Sequence, residues 1–139
     1  YYLEMDPEAP DTVYAIVNEC QVAGRAYRGG LYRSDDGGRE WRCVLAYPEL
    51  HSIALNPRLS HVIYAGGYPV PGHLGGLFRS LDRGETWEWE PGLLDKHHRV
   101  TTIAINPHDG CTVYVGTQGG GAYRGVDETV RAMIDTGEE

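Results

Sequence analysis

The chain repeats itself about every 50 residues, and that periodicity limits the folds open to it more than any other feature. Ser52-Ile53-Ala54-Leu55-Asn56-Pro57 returns 50 residues later as Thr102-Ile103-Ala104-Ile105-Asn106-Pro107. The segment Tyr2-Leu3-Glu4-Met5-Asp6-Pro7 lies 50 residues upstream and keeps the final proline. A second landmark follows at the same offset: Val13-Tyr14-Ala15, Ile63-Tyr64-Ala65 and Val113-Tyr114-Val115. A third comprises Gly30-Leu31-Tyr32-Arg33-Ser34, Gly76-Leu77-Phe78-Arg79-Ser80 and Gly121-Ala122-Tyr123-Arg124-Gly125, spaced by 46 and 45 because the preceding loop shortens. Three landmarks in three copies define tandem structural units stacked on one another.

Each copy reads as four short strands. In the middle copy, strand A runs from about Ser52 to Asn56, B from Val62 to Gly66, C from Gly76 to Ser80, and D from Thr86 to Glu90. Gly, Pro and Asp fill the gaps, as strand boundaries require. Glycine at 19 residues and tyrosine at 10 favour turns and strands. No segment holds a sustained helical period, and the stretch Val130 to Ile134 is assigned by position to strand D of the third copy, with a helical tail as the alternative. Four-stranded units of roughly 40–50 residues are the mark of β-propeller blades. The sequence therefore predicts an all-β propeller module of four-stranded antiparallel blades, three in this chain, at about 1–50, 51–100 and 101–139.

The turn after strand C carries a family resemblance. Ser34-Asp35-Asp36-Gly37-Gly38-Arg39-Glu40-Trp41 and Ser80-Leu81-Asp82-Arg83-Gly84-Glu85-Thr86-Trp87 resemble the Asp-box, or bacterial neuraminidase repeat, S-x-D-x-G-x-T-W. The first copy replaces Thr with Glu40; the third keeps Asp127 but has Gly125, Thr129 and Ala132 for Ser, Gly and Trp. Proteins with this repeat include sialidases, xyloglucanase-type glycosidases, sortilin-like receptors and photosystem assembly factors, so the resemblance implies a fold and leaves activity open. Ser34, Asp36, Gly38 and Trp41, and Ser80, Asp82, Gly84, Thr86 and Trp87, read as structural. The Asp accepts turn amides, the Gly takes a positive φ, and the indole fills the space between blades.

Composition narrows the partners. A net charge of −8 argues against nucleic acid and anionic membranes. No apolar run approaches the ~18 residues of a membrane span, so the sequence predicts a soluble protein and leaves its compartment open. Three cysteines, Cys20, Cys43 and Cys111, allow at most one bridge and leave the redox state undecided. No metal or cofactor is expected: His108 and Cys111 have H-x-x-C spacing without a second pair, and adjacent His97 and His98 diverge in an extended segment.

Three blades leave two open edges, where propellers typically close with 4–8 blades. The expectation is either self-association of two half-rings into a six-bladed ring or contact with further blades. The B–C and D–A loops share one face, opposite the Asp-box turns, and loops on a rigid scaffold are where recognition usually sits. Ligand-binding candidates there are Arg25, Tyr27, Arg28, Tyr47, Tyr68, His73, His97, His98 and Gln118, a mixture suited to a glycan or a peptide. Strand A places Glu4, Asp6, Ser52 and Thr102 toward a central channel. Glu49 and Asp95 occupy corresponding inter-blade loops and are the catalytic candidates, since glycosidases use paired carboxyls. The reading favoured by sequence is a non-enzymatic scaffold or ligand-binding module; the alternative is a glycoside hydrolase of sialidase or xyloglucanase type, or an excerpt of one.

Overall fold

The structure, a computed structural model, describes residues 2–18, 20–22, 24–72, 75–89 and 99–137; for 2, 20–22 and 25–27 only the backbone is described. Each repeat folds into its own antiparallel sheet. The first contains β1 (Tyr2–Asp6), β2 (Ala9–Val17), β5 (Gly30–Ser34) and β6 (Arg42–Ala46), in that order across the sheet. The second contains β7 (Leu50–Leu55), β8 (Ile63–Gly67), β9 (Gly76–Ser80) and β10 (Glu88–Trp89). The third contains β11 (Val100–Ile105), β12 (Thr112–Thr117) and β13 (Gly121–Val126). The registers repeat: Tyr14 pairs Arg33, Tyr64 pairs Arg79, and Tyr114 pairs Arg124.

Period-two alternation gives every sheet two faces, and the core lies between sheets. Tyr14, Ile16 and Leu31 of the first blade meet Ile53, Ile63 and Ala65 of the second. Ala54, Tyr64 and Leu77, on the opposite face of the second blade, meet Ile103, Val113 and Val115 of the third. Each fully buried aliphatic side chain here contributes roughly 1.5–3 kcal/mol. Asn56 adds a polar link between the second and third blades: its amide nitrogen donates to the Gly110 carbonyl (2.6 Å) and its oxygen accepts from the amides of Arg58 and Leu59.

Two segments depart from the sequence expectation. Val130 to Ile134 is not strand D but part of α1 (Glu128–Asp135). The third turn lacks the Ser and Gly that close the hairpin in the other copies, and Asp127 instead caps the helix by accepting from the Val130 amide (3.2 Å). Val130, Met133 and Ile134, at helical spacing, then pack onto the core between the second and third blades. The stretch between β2 and β5, expected as loop, holds a hairpin of β3 (Cys20–Val22) and β4 (Arg25–Tyr27), turned by Gly24 at φ 76°.

The indoles behave unequally. Trp87 packs against the core shared by the first two blades, as expected of an inter-blade wedge. Trp41 is 41 % exposed, because its side of the first blade faces no neighbour among the described residues. Leu3 and Met5, the counterparts of Ile53 and Leu55, are 69 % and 61 % exposed on that same side.

The two S-x-D-x-G turns are closed by their own side chains. Ser34 Oγ donates to Asp36 Oδ1 (2.8 Å) and accepts from the Gly38 amide (2.8 Å), while Asp36 Oδ1 takes the amides of Arg39 and Glu40. Ser80 and Asp82 do the same, and the Thr86 hydroxyl adds a bond to Asp82 Oδ2 (2.5 Å). The Glu40 amide, then the Ser34 hydroxyl, holds the Asp36 carboxyl below its ordinary range. Burial works against Asp82, but Thr86 and Ser80 outweigh it and the net shift is again downward. In the A–B turn of the third blade, the Thr112 hydroxyl and amide lower Asp109 to about 2.

These shifts set an acid dependence. A carboxyl whose folded pKa lies below its unfolded value of about 3.9 stabilises the fold above that pH, and the contribution fades as pH falls toward the folded pKa. Urea unfolding is expected to give a midpoint that drops as pH is lowered from about 4 toward 2. The drop should be shallower in Asp82→Asn and Asp109→Asn, each of which begins from lower stability near neutrality. Parallel curves for variants and parent would remove these carboxyls from the explanation.

Candidate functional site

One edge of the blade stack gathers polar and aromatic groups where strands A begin and strands B end. Glu49 precedes β7, His51 lies within it, and Tyr68 follows β8. Arg99 precedes β11 and Gln118 follows β12. Backbone bonds fix these positions: the Tyr68 amide donates to the Glu49 carbonyl and the Gln118 amide to the Arg99 carbonyl, each at 2.9 Å. The equivalent strand ends of adjacent blades thus bring residues distant in sequence to one surface.

The side chains form a contiguous group. The His51 and Tyr68 rings stack with centroids 3.8 Å apart and planes 21° from parallel. Glu49 Oε2 lies 3.0 Å from His51 Nε2 and holds that ring from its edge. The Arg99 guanidinium carbon sits 5.9 Å from the Tyr68 ring centroid, and Arg99 donates toward Gln118 Oε1 at 3.5 Å. Beneath them Tyr47 is buried, donates its hydroxyl to the Tyr68 carbonyl (2.6 Å), and tilts against Phe78. Burial, with a further push from the Glu49 charge, raises the Tyr47 hydroxyl to about 12, so it stays protonated as a donor at neutral pH. The exposed layer offers a carboxylate acceptor, guanidinium and carboxamide donors, and a flat ring pair. That set suits a polyhydroxylated ligand bound by edge hydrogen bonds and face contact.

Of the candidates named from sequence, Glu49, Tyr47, Tyr68 and Gln118 come together here. Arg28 is exposed near the same edge, its carbonyl accepting from Tyr32 (2.7 Å). The backbone of Arg25 and Tyr27 lies in β4. His73, Asp95, His97 and His98 lie outside the described residues. His51 and Arg99 were missed, although both lie within the D–A loop segments, 46–51 and 91–100, from which Glu49 and Asp95 were chosen.

The strand A positions assigned to a channel are corrected for two residues. Asp6 is buried, accepts from the Glu8 amide and pairs with Arg83 of the second blade (3.1 Å). Ser52 is likewise buried, in the same pocket as Val100 of the third blade. Residues at these positions face the neighbouring blade, because period-two alternation turns them along the stack. Glu4 is half-buried, and burial raises its carboxyl; Thr102 is exposed. No group of three His, Cys, Asp or Glu side chains able to hold a metal occurs among the described residues, and Cys43 and Cys111 are free thiols there. No helix among them is long and apolar enough to cross a membrane.

No protein-family model matches the chain. It is 31 % identical over 138 aligned residues to a xyloglucanase of Acetivibrio thermocellus, a match covering 85 % of this chain and 16 % of that enzyme. An oligoxyloglucan-reducing end-specific xyloglucanase of Emericella nidulans is 34 % identical over 71 residues, or 45 % of this chain and 8 % of the relative. Among solved structures, the GH74 enzyme of Niastella koreensis superposes with a TM-score of 0.67 at 19 % identity, over 91 % of this chain and 20 % of its own. The GH74 xyloglucanase of Xanthomonas campestris gives 0.64 at 18 % identity, over 90 % and 22 %. The chain spans about a sixth of the length of the first of these relatives, has the fold of consecutive β-propeller blades, and is homologous to GH74 xyloglucanases.

Proposed function

We propose that these three blades form part of a glycoside hydrolase acting on xyloglucan, and that the edge built by Glu49, His51, Tyr68, Arg99 and Gln118 contacts the polysaccharide. The carrying observation is the 31 % identity to a xyloglucanase across 85 % of the chain. The hydrolase alternative raised from sequence is thereby better supported than a non-enzymatic module. Glucan and xylose units present hydroxyls at their edges and C–H groups on their faces. The His51–Tyr68 stack matches the faces, and Arg99, Gln118 and Glu49 match the edges. Glu49 acts here by orienting His51 and accepting sugar hydroxyls. The turn carboxylates Asp36 and Asp82 are structural, engaged by their own hairpins.

Titration calorimetry of the chain with xyloglucan oligosaccharides tests the surface. Tyr68→Ala removes the ring that His51 stacks on and is expected to weaken binding about tenfold or more, the effect of losing more than ~1 kcal/mol at an interface aromatic. Its melting temperature should stay close to the parent's. Equal affinity in parent and variant would exclude this edge as the sugar contact.

A further inference from the structure

Tyr68 lies just past the end of β8 and is followed by Pro69, which has no amide to donate. Both backbone groups of Tyr68 are nevertheless engaged. Its amide donates to the Glu49 carbonyl (2.9 Å), and its carbonyl accepts the Tyr47 hydroxyl (2.6 Å). The first bond recurs in the third blade between Gln118 and Arg99. The second comes from a side chain, in the loop that joins the first blade to the second.

Tyr47 is itself fixed by packing. Its amide donates to the Gly29 carbonyl (3.2 Å), and its ring joins the core shared by the first two blades, with its centroid 5.3 Å from that of Phe78. The second blade makes room for that ring. A Cβ on Gly67 would stand 2.7 Å from it, and the positions that match Gly67 in the first and third copies are Val17 and Thr117. Only the middle copy carries glycine there, and the tyrosine ring takes the space. Sequence placed Tyr47 among the ligand contacts, but at 4 % exposure it has almost no surface to offer a ligand. A phenylalanine would fill the same volume, so the hydroxyl adds the bond to the Tyr68 carbonyl.

We infer that Tyr47 is a positioning residue: its hydroxyl fixes the Tyr68 backbone, and with it the ring on which His51 stacks. That the ring pair contacts sugar rests on the function proposed above; that Tyr47 sets the ring pair does not. Rings already held in place lose less freedom when a ligand binds, so the hydroxyl strengthens binding without touching the ligand.

Two measurements on the 139-residue chain test the inference. Proton NMR reads the stack directly, because the Tyr68 ring current shifts the ring protons of His51 that lie over its face. Tyr47→Phe is expected to move those resonances toward their ordinary positions while the melting temperature stays close to the parent's. In calorimetry with xyloglucan oligosaccharides the same variant should bind about three- to tenfold more weakly. It should have no further effect in the Tyr68→Ala background, where no ring is left to position. His51 resonances that stay in place in a folded Tyr47→Phe chain would overturn the inference, whether or not sugar binds. Parent-like affinity for sugar, or an equal loss in both backgrounds as a merely structural role would give, overturns it too. A parent that binds no oligosaccharide, with His51 resonances that still respond to Tyr47→Phe, counts against the sugar reading alone and supports the positioning role. Gly67→Ala displaces the Tyr47 ring and repeats the test if the phenylalanine variant does not fold.

Discussion

Asp127→Ala is expected to destabilise the chain by about 3–5 kcal/mol, the largest loss for any single side chain outside the apolar core. The carboxylate is almost fully buried and serves three partners at once. It caps α1, accepts the hydroxyl of fully buried Tyr64, and pairs with Arg79, which is itself only 7 % exposed. Alanine leaves the Tyr64 hydroxyl without its acceptor, and Arg79 keeps Glu88 as a partner on its own sheet. For a chain of this size the melting temperature should fall by roughly 10–20 °C. Asp127→Asn retains a cap and an acceptor but loses the charge, so it should fall between parent and alanine. A loss below about 1 kcal/mol for Asp127→Ala would mean that α1 and the second blade are not coupled through this group.

Gly30→Ala is the second large effect. Gly30 opens β5 with φ 153°, opposite Ala46 in the ladder with β6. A Cβ there would stand 2.2 Å from the Leu45 carbonyl oxygen, a backbone atom that cannot turn aside. The two strands must separate, and a loss of about 3 kcal/mol or more is expected from overpacking and backbone strain together. Gly119→Ala is the matched control: φ is 83°, but nothing lies within 4 Å of the new methyl group. It should lose only about 1 kcal/mol. Equal losses in the two variants, measured by urea unfolding, would show that conformation alone decides both positions.

These two residues also mark what could be read from the chain before its fold was known. Gly30, Gly76 and Gly121 were visible as landmarks because recurrence exposes them, and so were Tyr14, Tyr64 and Tyr114. Recurrence does not say what a landmark touches. The tyrosines act on the following repeat, so their partners, Arg83 and Asp127, lie 69 and 63 residues away. Asp127 was recognised as the remnant of a hairpin turn, but its new work as a helix cap depends on the loss of the neighbouring Ser and Gly. The helix it starts is short, and three apolar residues at helical spacing are too few to outweigh a position that predicts a strand. The candidate edge was partly legible, because loop position selected Glu49, Tyr68 and Gln118. His51 and Arg99 fall within the D–A loop segments, 46–51 and 91–100, but nothing in the local sequence marks either as a partner of Tyr68. His51 reaches Tyr68 across the β7–β8 pair of its own blade, and Arg99 reaches it from the neighbouring blade, so the grouping follows from strand register and blade stacking and not from local sequence.

Release of reducing ends from xyloglucan by the polypeptide that carries these blades probes the functional reading most directly. Hydrolysis of xyloglucan is expected, with kcat/KM lowered about tenfold or more by Tyr68→Ala. A correctly folded polypeptide that leaves xyloglucan intact would contradict it.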